Sequence, residues 1–154
     1  MSTNRFLLIK SLGRSIWADV DHVMIQILAA ELTNRIPVVY WGTESLYSES
    51  ISTNAFELFF EPVSPYTVHS VVRPEYTYYP PVWTYENVMA EDTDRLKMEF
   101  RDLKSMMRSN ANVVVSDVYS PIWALTPWIR RDHWAFGKTP YQIYRQLFDK
   151  YLKL

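Results

Sequence analysis

The residues of this chain best suited to chemistry fall at two turns. The first is Ser11-Leu12-Gly13-Arg14-Ser15, between the apolar run FLLI and the start of a helical pattern. A strand-to-helix turn of this kind presents backbone N–H groups at the positive end of a helix dipole, the arrangement that holds phosphate. Arg14 would add a charge-assisted contact. The pattern has one glycine where a dinucleotide fingerprint has three, and it lacks the lysine–serine pair of a P-loop. On spacing alone the ordinary corner between a strand and its covering helix is the commoner reading, since many folds carry such a turn without a phosphate site. The second place is Asp117, just past the β-branched run Val113 to Val115, at the carboxyl edge where parallel sheets hold ligands. Asp117 is either a candidate general base or a turn cap. Trp41 and Gly42 end another such run and would share its rim.

Other clusters carry less. Asp19, His22 and Gln26 share one helix face, as do Trp17 and Asp21. An Asp–His pair on one helix is too small a set for a metal site, so His22 reads first as a satisfied helix histidine, and no metal or cofactor is expected. WIRRDHW, from Trp128 to Trp134, reads as a solvated charge cluster in a loop. There are no cysteines, so disulfides, thiolate ligands and thiol nucleophiles are all absent.

The elements that position these residues follow from periodicity. Phe6 to Ile9 is a buried-type strand. Ile16, Val20, Val23, Met24, Ile27 and Leu28 recur at spacings of three and four, one face of a helix from about Ser15 to Thr33. Ser15 stands at the N-cap, Asp19 in the favourable acidic first turn, and Asn34 where a left-handed residue closes a helix. Ile36 to Gly42 is a second strand, and strand–helix–strand in this order is the βαβ unit of a parallel sheet. Thr43 to Thr53 reads as a hydroxyl-rich loop. Asn54 caps NAFELFFE, which Pro62 stops. Residues 62–90 form an irregular segment rich in proline and aromatics, read as extended and surface-crossing with one short strand. Leu96, Phe100, Leu103 and Met107 keep helical spacing before the third strand at Val113 to Val115. The segment SPIWALTPWI is a loop, or a short helix broken at Pro127. TPYQIYRQLFDKYLKL opens with Thr139, Pro140 and Gln142, a capping box with a first-turn proline.

The 154 residues, 48% hydrophobic, suffice for a single domain with a real core. A net charge of −1 supplies no cationic field for a polyanion, which argues against nucleic acid as a partner. No apolar run approaches the roughly 18 residues that span a bilayer, and the four apolar residues between Arg5 and Lys10 are too few for a signal peptide. The expectation is a cytoplasmic protein without a membrane partner. Aromatics make up 16% of the chain, a content that suits sugar stacking or a large core.

The string GRSIWADVDHVMIQILAAELTNRIPVVYWG, Gly13 to Gly42, resembles the opening of glycosyltransferases related to nodulation fucosyltransferases and the α1,6-fucosyltransferases of N-glycans. NAFELFFEPVS, the YYPPVW patch, VVVSDVYSPIWALTPWI and YRQLFDKYLKL resemble successive later pieces, so the likeness covers most of the chain. The resemblance implies an α/β fold, a Rossmann-like three-layer parallel sheet forming one half of a GT-B-like enzyme. It implies transfer of a sugar, usually fucose, from a GDP-sugar to a glycan acceptor, with inversion and no essential metal. By position, Gly13, Arg14, Ser15 and His22 would face the donor diphosphate, and Trp17 and Trp41 the acceptor or sugar. The family's His-x-Arg segment would follow Tyr141 to Leu154. The chain is therefore expected to be the N-terminal domain without its C-terminal donor domain, inactive alone, with self-association through any apolar face so exposed. The alternative is a stand-alone glycan-binding module whose aromatic surface is Trp83, Trp123, Trp128 and Trp134.

Overall fold

The structure is a computed structural model that describes residues 4–42, 45, 54–89 and 102–154. Most of the loop expected over Thr43 to Thr53, and the helical positions Leu96 and Phe100, lie outside the described residues.

The first forty residues fold as their periodicity dictates. Strand β1 (Phe6–Lys10) leads into helix α1 (Ile16–Leu32), and β2 (Ile36–Tyr40) returns parallel to β1 with Phe6 opposite Ile36. The Ser15 side chain accepts the Ala18 N–H at the N-cap, and Asn34 takes a φ of 55° just past the helix end. That left-handed residue lets the chain reverse into β2 without glycine.

Two further strands complete the sheet. β3 (Tyr78–Tyr79) and β4 (Val113–Ser116) both run parallel to β1, in the order β2-β1-β4-β3. Between them lies a short helix, α2 (Leu103–Arg108), capped by the Asp102 carboxylate, which accepts the Ser105 N–H at 2.8 Å. The last helix, α3 (Pro140–Tyr151), begins with the expected capping box between Thr139 and Gln142. Ile122–Trp128 forms a 3-10 helix that Pro127 does not break, because proline's missing N–H costs little where turns are this short.

Strand alternation divides the core. Leu7, Ile9, Val39, Trp41 and Val114 point to the face covered by α1, the 3-10 segment 122–128 and α3. Phe6, Leu8, Val38, Tyr40, Val113 and Val115 point to the other face. The layer over that second face is the proline- and aromatic-rich segment, whose Val68, Val71, Trp83 and Val88 are buried against the sheet. The expectation of a surface-crossing segment is corrected here. Prolines forbid long regular elements, but they do not stop apolar side chains from entering a core. Each such fully buried valine stabilises the fold by about 1.5–3 kcal/mol. Among the described residues the fold thus has three layers, with the α-helices on one side of the sheet and the proline-rich segment on the other.

β2 is an edge strand, and its outer backbone groups are closed off by one side chain. Asn54 donates to the Val39 carbonyl at 2.8 Å and accepts the Trp41 N–H at 3.0 Å, copying a strand. The same oxygen accepts the Phe56 N–H, and the Ala55 N–H donates to the Trp41 carbonyl. Pro37 removes one further donor from this edge. We expect Asn54→Ala to lose about 2 kcal/mol in urea unfolding, since it leaves several partly buried backbone groups unpaired. Asn54→Asp, which keeps the acceptor and loses the donor, falls between the two.

Candidate functional site

Because all four strands are parallel, the loops that follow them gather at one edge of the sheet. The Ser11–Ser15 turn, the Trp41–Gly42 turn and Asp117 all lie there, and Gly13 and Asp117 follow neighbouring strands.

The first turn is built around a carboxylate of its own. Asp19 is fully buried and reaches back from α1 to accept the Ser11 hydroxyl at 2.6 Å and the Leu12 N–H at 2.8 Å. The Gly13 N–H donates to Ser11 Oγ at 3.0 Å, with Gly13 at a φ of 72°. Burial raises the Asp19 pKa, while the Ser11 and Leu12 hydrogen bonds and the Arg14 charge pull it down. The N–H groups of Leu12 and Gly13 therefore point inward, and a negative group already sits behind the turn. Arg14 and Ser15 are the exposed members of the turn. Sequence reading placed Asp19 as a helix-dipole partner; its role as the clasp of this turn needed the fold.

Two expected ligand contacts are corrected. His22 is fully buried, and its Nε2–H donates to the Ser116 carbonyl at 3.3 Å, across from α1 to β4. Burial lowers its pKa to about 4, so at neutral pH it carries no charge for a diphosphate. Trp41 is likewise fully buried, set edge-on to Phe56 with ring centroids 5.2 Å apart, and reaches no sugar. For His22 the cause lies in how its helix is packed. Asp19, His22 and Gln26 form a polar helix face, yet that face turns inward because α1 is covered on more than one side.

Trp17, in contrast, stands 73% exposed on the first turn of α1, open to a ligand. The aromatic surface of the alternative reading does not form as a unit. Trp83 is buried, Trp128 and Trp134 are half-buried, and Trp123 is exposed. WIRRDHW is also more than solvated charge, since Arg130 donates to the Leu32 carbonyl and His133 and Trp134 both donate to Glu31.

The geometry adds two residues at the carboxyl edge. Lys10 lies opposite Tyr40 in the β1–β2 register, and Ile9 opposite Ser116, so the next residue of that strand, Asp117, flanks Lys10. Tyr40, Lys10 and Asp117 thus form a row across three adjacent strands, all buried. Lys10 donates to the Val88 carbonyl at 3.0 Å and lies 4.2 Å from the centre of the Trp83 ring. A side chain on Gly42 would meet the Tyr40 ring at 2.7 Å, so glycine is what lets that ring fold back beside the turn. Lys10 was legible only as the end of an apolar run. Its burial comes from the proline-rich layer above it, which no periodicity announces.

Among the described residues, no group of three or more histidines, cysteines and carboxylates stands close enough to hold a metal ion, and no helix is long and apolar enough to cross a membrane.

No family model and no curated protein matches the chain. Solved structures do. Fucosyltransferase NodZ from Bradyrhizobium matches at 18% identity and a TM-score of 0.51, over 99% of this chain and 52% of that one. Its selenomethionine form gives 19% and 0.53, over 99% and 51%. NodZ alpha-1,6-fucosyltransferase soaked with GDP-fucose gives 18% and 0.52, over 96% and 50%. The chain spans about half the length of these structures. At this identity the likeness is one of fold, and it agrees with the parallel α/β sheet and with the resemblance read from the residues. This chain has the fold of one half of a fucosyltransferase.

Proposed function

We propose that this chain works as one Rossmann-like half of a glycosyltransferase that moves a sugar, fucose first among candidates, from a GDP-sugar to a glycan acceptor. The observation that carries this reading is that 99% of the chain lies along half of a fucosyltransferase. One half contributes one wall of a cleft, so transfer requires a second domain, and the chain alone is inactive.

In this reading the carboxyl edge faces the cleft. Inverting transfer needs a base for the acceptor hydroxyl and positive charge or N–H donors for the departing diphosphate. Asp117, at the end of the strand beside β1, takes the first role. Arg14 and Ser15, exposed on the first turn, take the second. Gly13 supplies the left-handed bend that presents them, its own N–H being directed to Ser11.

The test is a fusion of this chain to the second half of a nodulation-type fucosyltransferase, assayed for GDP release and for labelled fucose in oligosaccharide acceptors. The fusion is expected to transfer, and the isolated chain to give no turnover. Asp117→Asn in the fusion should slow transfer by about a hundredfold, the usual loss for a general base. Enzyme-like turnover by the isolated chain would remove the need for a second half. A folded fusion that binds GDP-fucose and never transfers would remove the reading itself.

A further inference from the structure

An aromatic strip runs along the groove between α1 and α3, outside the carboxyl-edge row. Trp17 and Tyr141 are 73% and 72% exposed. One turn along α1 from Trp17, Asp21 accepts the Tyr119 hydroxyl at 3.0 Å, and the Tyr144 hydroxyl faces the same carboxylate. Burial and the Asp21 charge raise both tyrosine pKa values, so both hydroxyls stay protonated. Beyond them lies an open groove of about 330 Å³, floored by Met24 and Phe148, near the lower end of the size range of ligand pockets.

Exposed rings in this number mark a contact surface rather than scattered surface residues. The chemistry between the rings says which contact. A protein interface core is depleted of aspartate and glutamate, whereas Asp21 and Asp149 sit beside these rings. A phosphate or nucleotide would meet two carboxylates and the Arg145 guanidinium. A neutral sugar ring has apolar C–H faces that lie flat on Trp and Tyr, and a rim of hydroxyls that donate to a carboxylate.

We propose that the Trp17–Asp21–Tyr141 strip binds a neutral oligosaccharide, with the sugar faces on Trp17 and Tyr141 and a hydroxyl donating to Asp21. The inference rests on the reading above, to which it adds the place where the acceptor glycan lies. Trp17 stands in the first turn of α1, the end of that helix that opens at the carboxyl edge.

The experiment uses the full chain and neutral linear tetrasaccharides of β1,4-linked glucose and N-acetylglucosamine. The Trp17 indole N–H resonance is followed by NMR and tryptophan fluorescence in parallel. Saturable shifts are expected with half-saturation on the order of 1 mM, and Trp17→Ala or Tyr141→Ala should weaken binding by about tenfold. Asp21→Asn should weaken it less, and Trp123→Ala, whose ring lies on the other side of α3, should leave it unchanged. The proposal is overturned by the absence of saturation, or by equal losses in Trp123→Ala. It is also overturned if Trp17 is shielded as protein concentration rises without sugar, which would assign the strip to a second copy of the chain. Sugar binding at the strip together with an inactive fusion would keep this site and discard the transferase reading. A transferring fusion indifferent to Trp17→Ala would do the reverse.

Discussion

Replacing Glu31 by alanine should cost about 4 kcal/mol, a large share of the 5–15 kcal/mol that holds a typical domain together. Glu31 stands in the last turn of α1, where a negative charge is unfavourable against the helix dipole and no basic residue of that turn compensates it. Its compensation comes from afar. His133 Nε2–H and Trp134 Nε1–H each donate to one carboxylate oxygen at 2.8 Å, and Lys150 and the Tyr151 hydroxyl donate to the other. His133 Nδ1 in turn accepts the Ala135 N–H, which fixes the ring as a donor through Nε2. One side chain therefore ties α1 to the loop after segment 122–128 and to the end of α3. Deleting it leaves four donors without their acceptor, and hydrogen bonds to charged groups contribute about 1.5–3 kcal/mol each, less at Lys150, which is half exposed and regains water. Urea unfolding should show the loss, and the melting temperature should fall by roughly 8–16 °C for a chain of this size. Glu31→Gln should recover about half. Its oxygen can still take His133 and Trp134 while its amide meets the Tyr151 hydroxyl, and only the Lys150 pairing is lost. Equal stability of the alanine variant and the native chain would dismiss this carboxylate as a clasp.

Stability should also fall by about 3 kcal/mol as the pH drops from about 6.5 to 4, with His22 as the main cause. The folded chain holds His22 at a pKa of about 4, chiefly by burial. The unfolded chain binds that proton near the ordinary histidine value, so protons favour the unfolded state throughout this window. Glu31 acts in the same direction at lower pH. Burial by itself would raise its pKa, but the Tyr151, Trp134 and His133 bonds and the Lys150 charge lower it, so its stabilisation is lost as pH falls through the folded value. Asp19 works the opposite way. Its folded pKa is raised by burial, so acid relieves a penalty there and offsets part of the loss. Unfolding measured at pH 7, 5.5 and 4.5 on the native chain and on His22→Gln separates these contributions. The variant should be nearly flat above pH 5. A His22 ring that titrates near 6.5 in the folded protein, or an unchanged slope in the variant, would contradict the account.

The part of the fold that was legible is the part whose signals are local. Ser15, Asn34, Thr139, Pro140 and Gln142 act on backbone within a few residues, so α1 and α3 begin or end where these residue types stand. The β-branched runs announce strands, and a helix between two of them implies a parallel pair. From that alone Gly13, Trp41, Gly42 and Asp117 belong at one edge, as they do. The reading of residue type served His22 better than the resemblance did: the type suggested a satisfied helix histidine, the resemblance a diphosphate contact, and the ring is core. Trp41, read as a rim residue from its place at a strand end, is core as well. Conversely, Trp17 and Tyr141 look like core residues by type and stand in solvent.

What the sequence by itself determined, then, is the order of elements, their caps and the direction of the strands, because each depends on period and on backbone neighbours. What only the tertiary structure decided is which polar groups meet. Glu31 finds its four partners 102 to 120 residues away, His22 finds Ser116 at a separation of 94, and Lys10 meets the proline-rich layer at Val88, 78 residues on. Periodicity says which way a side chain points from its own element. Whether water or another layer waits there depends on how distant segments pack, and here that layer is the proline-rich stretch, which has no period to read.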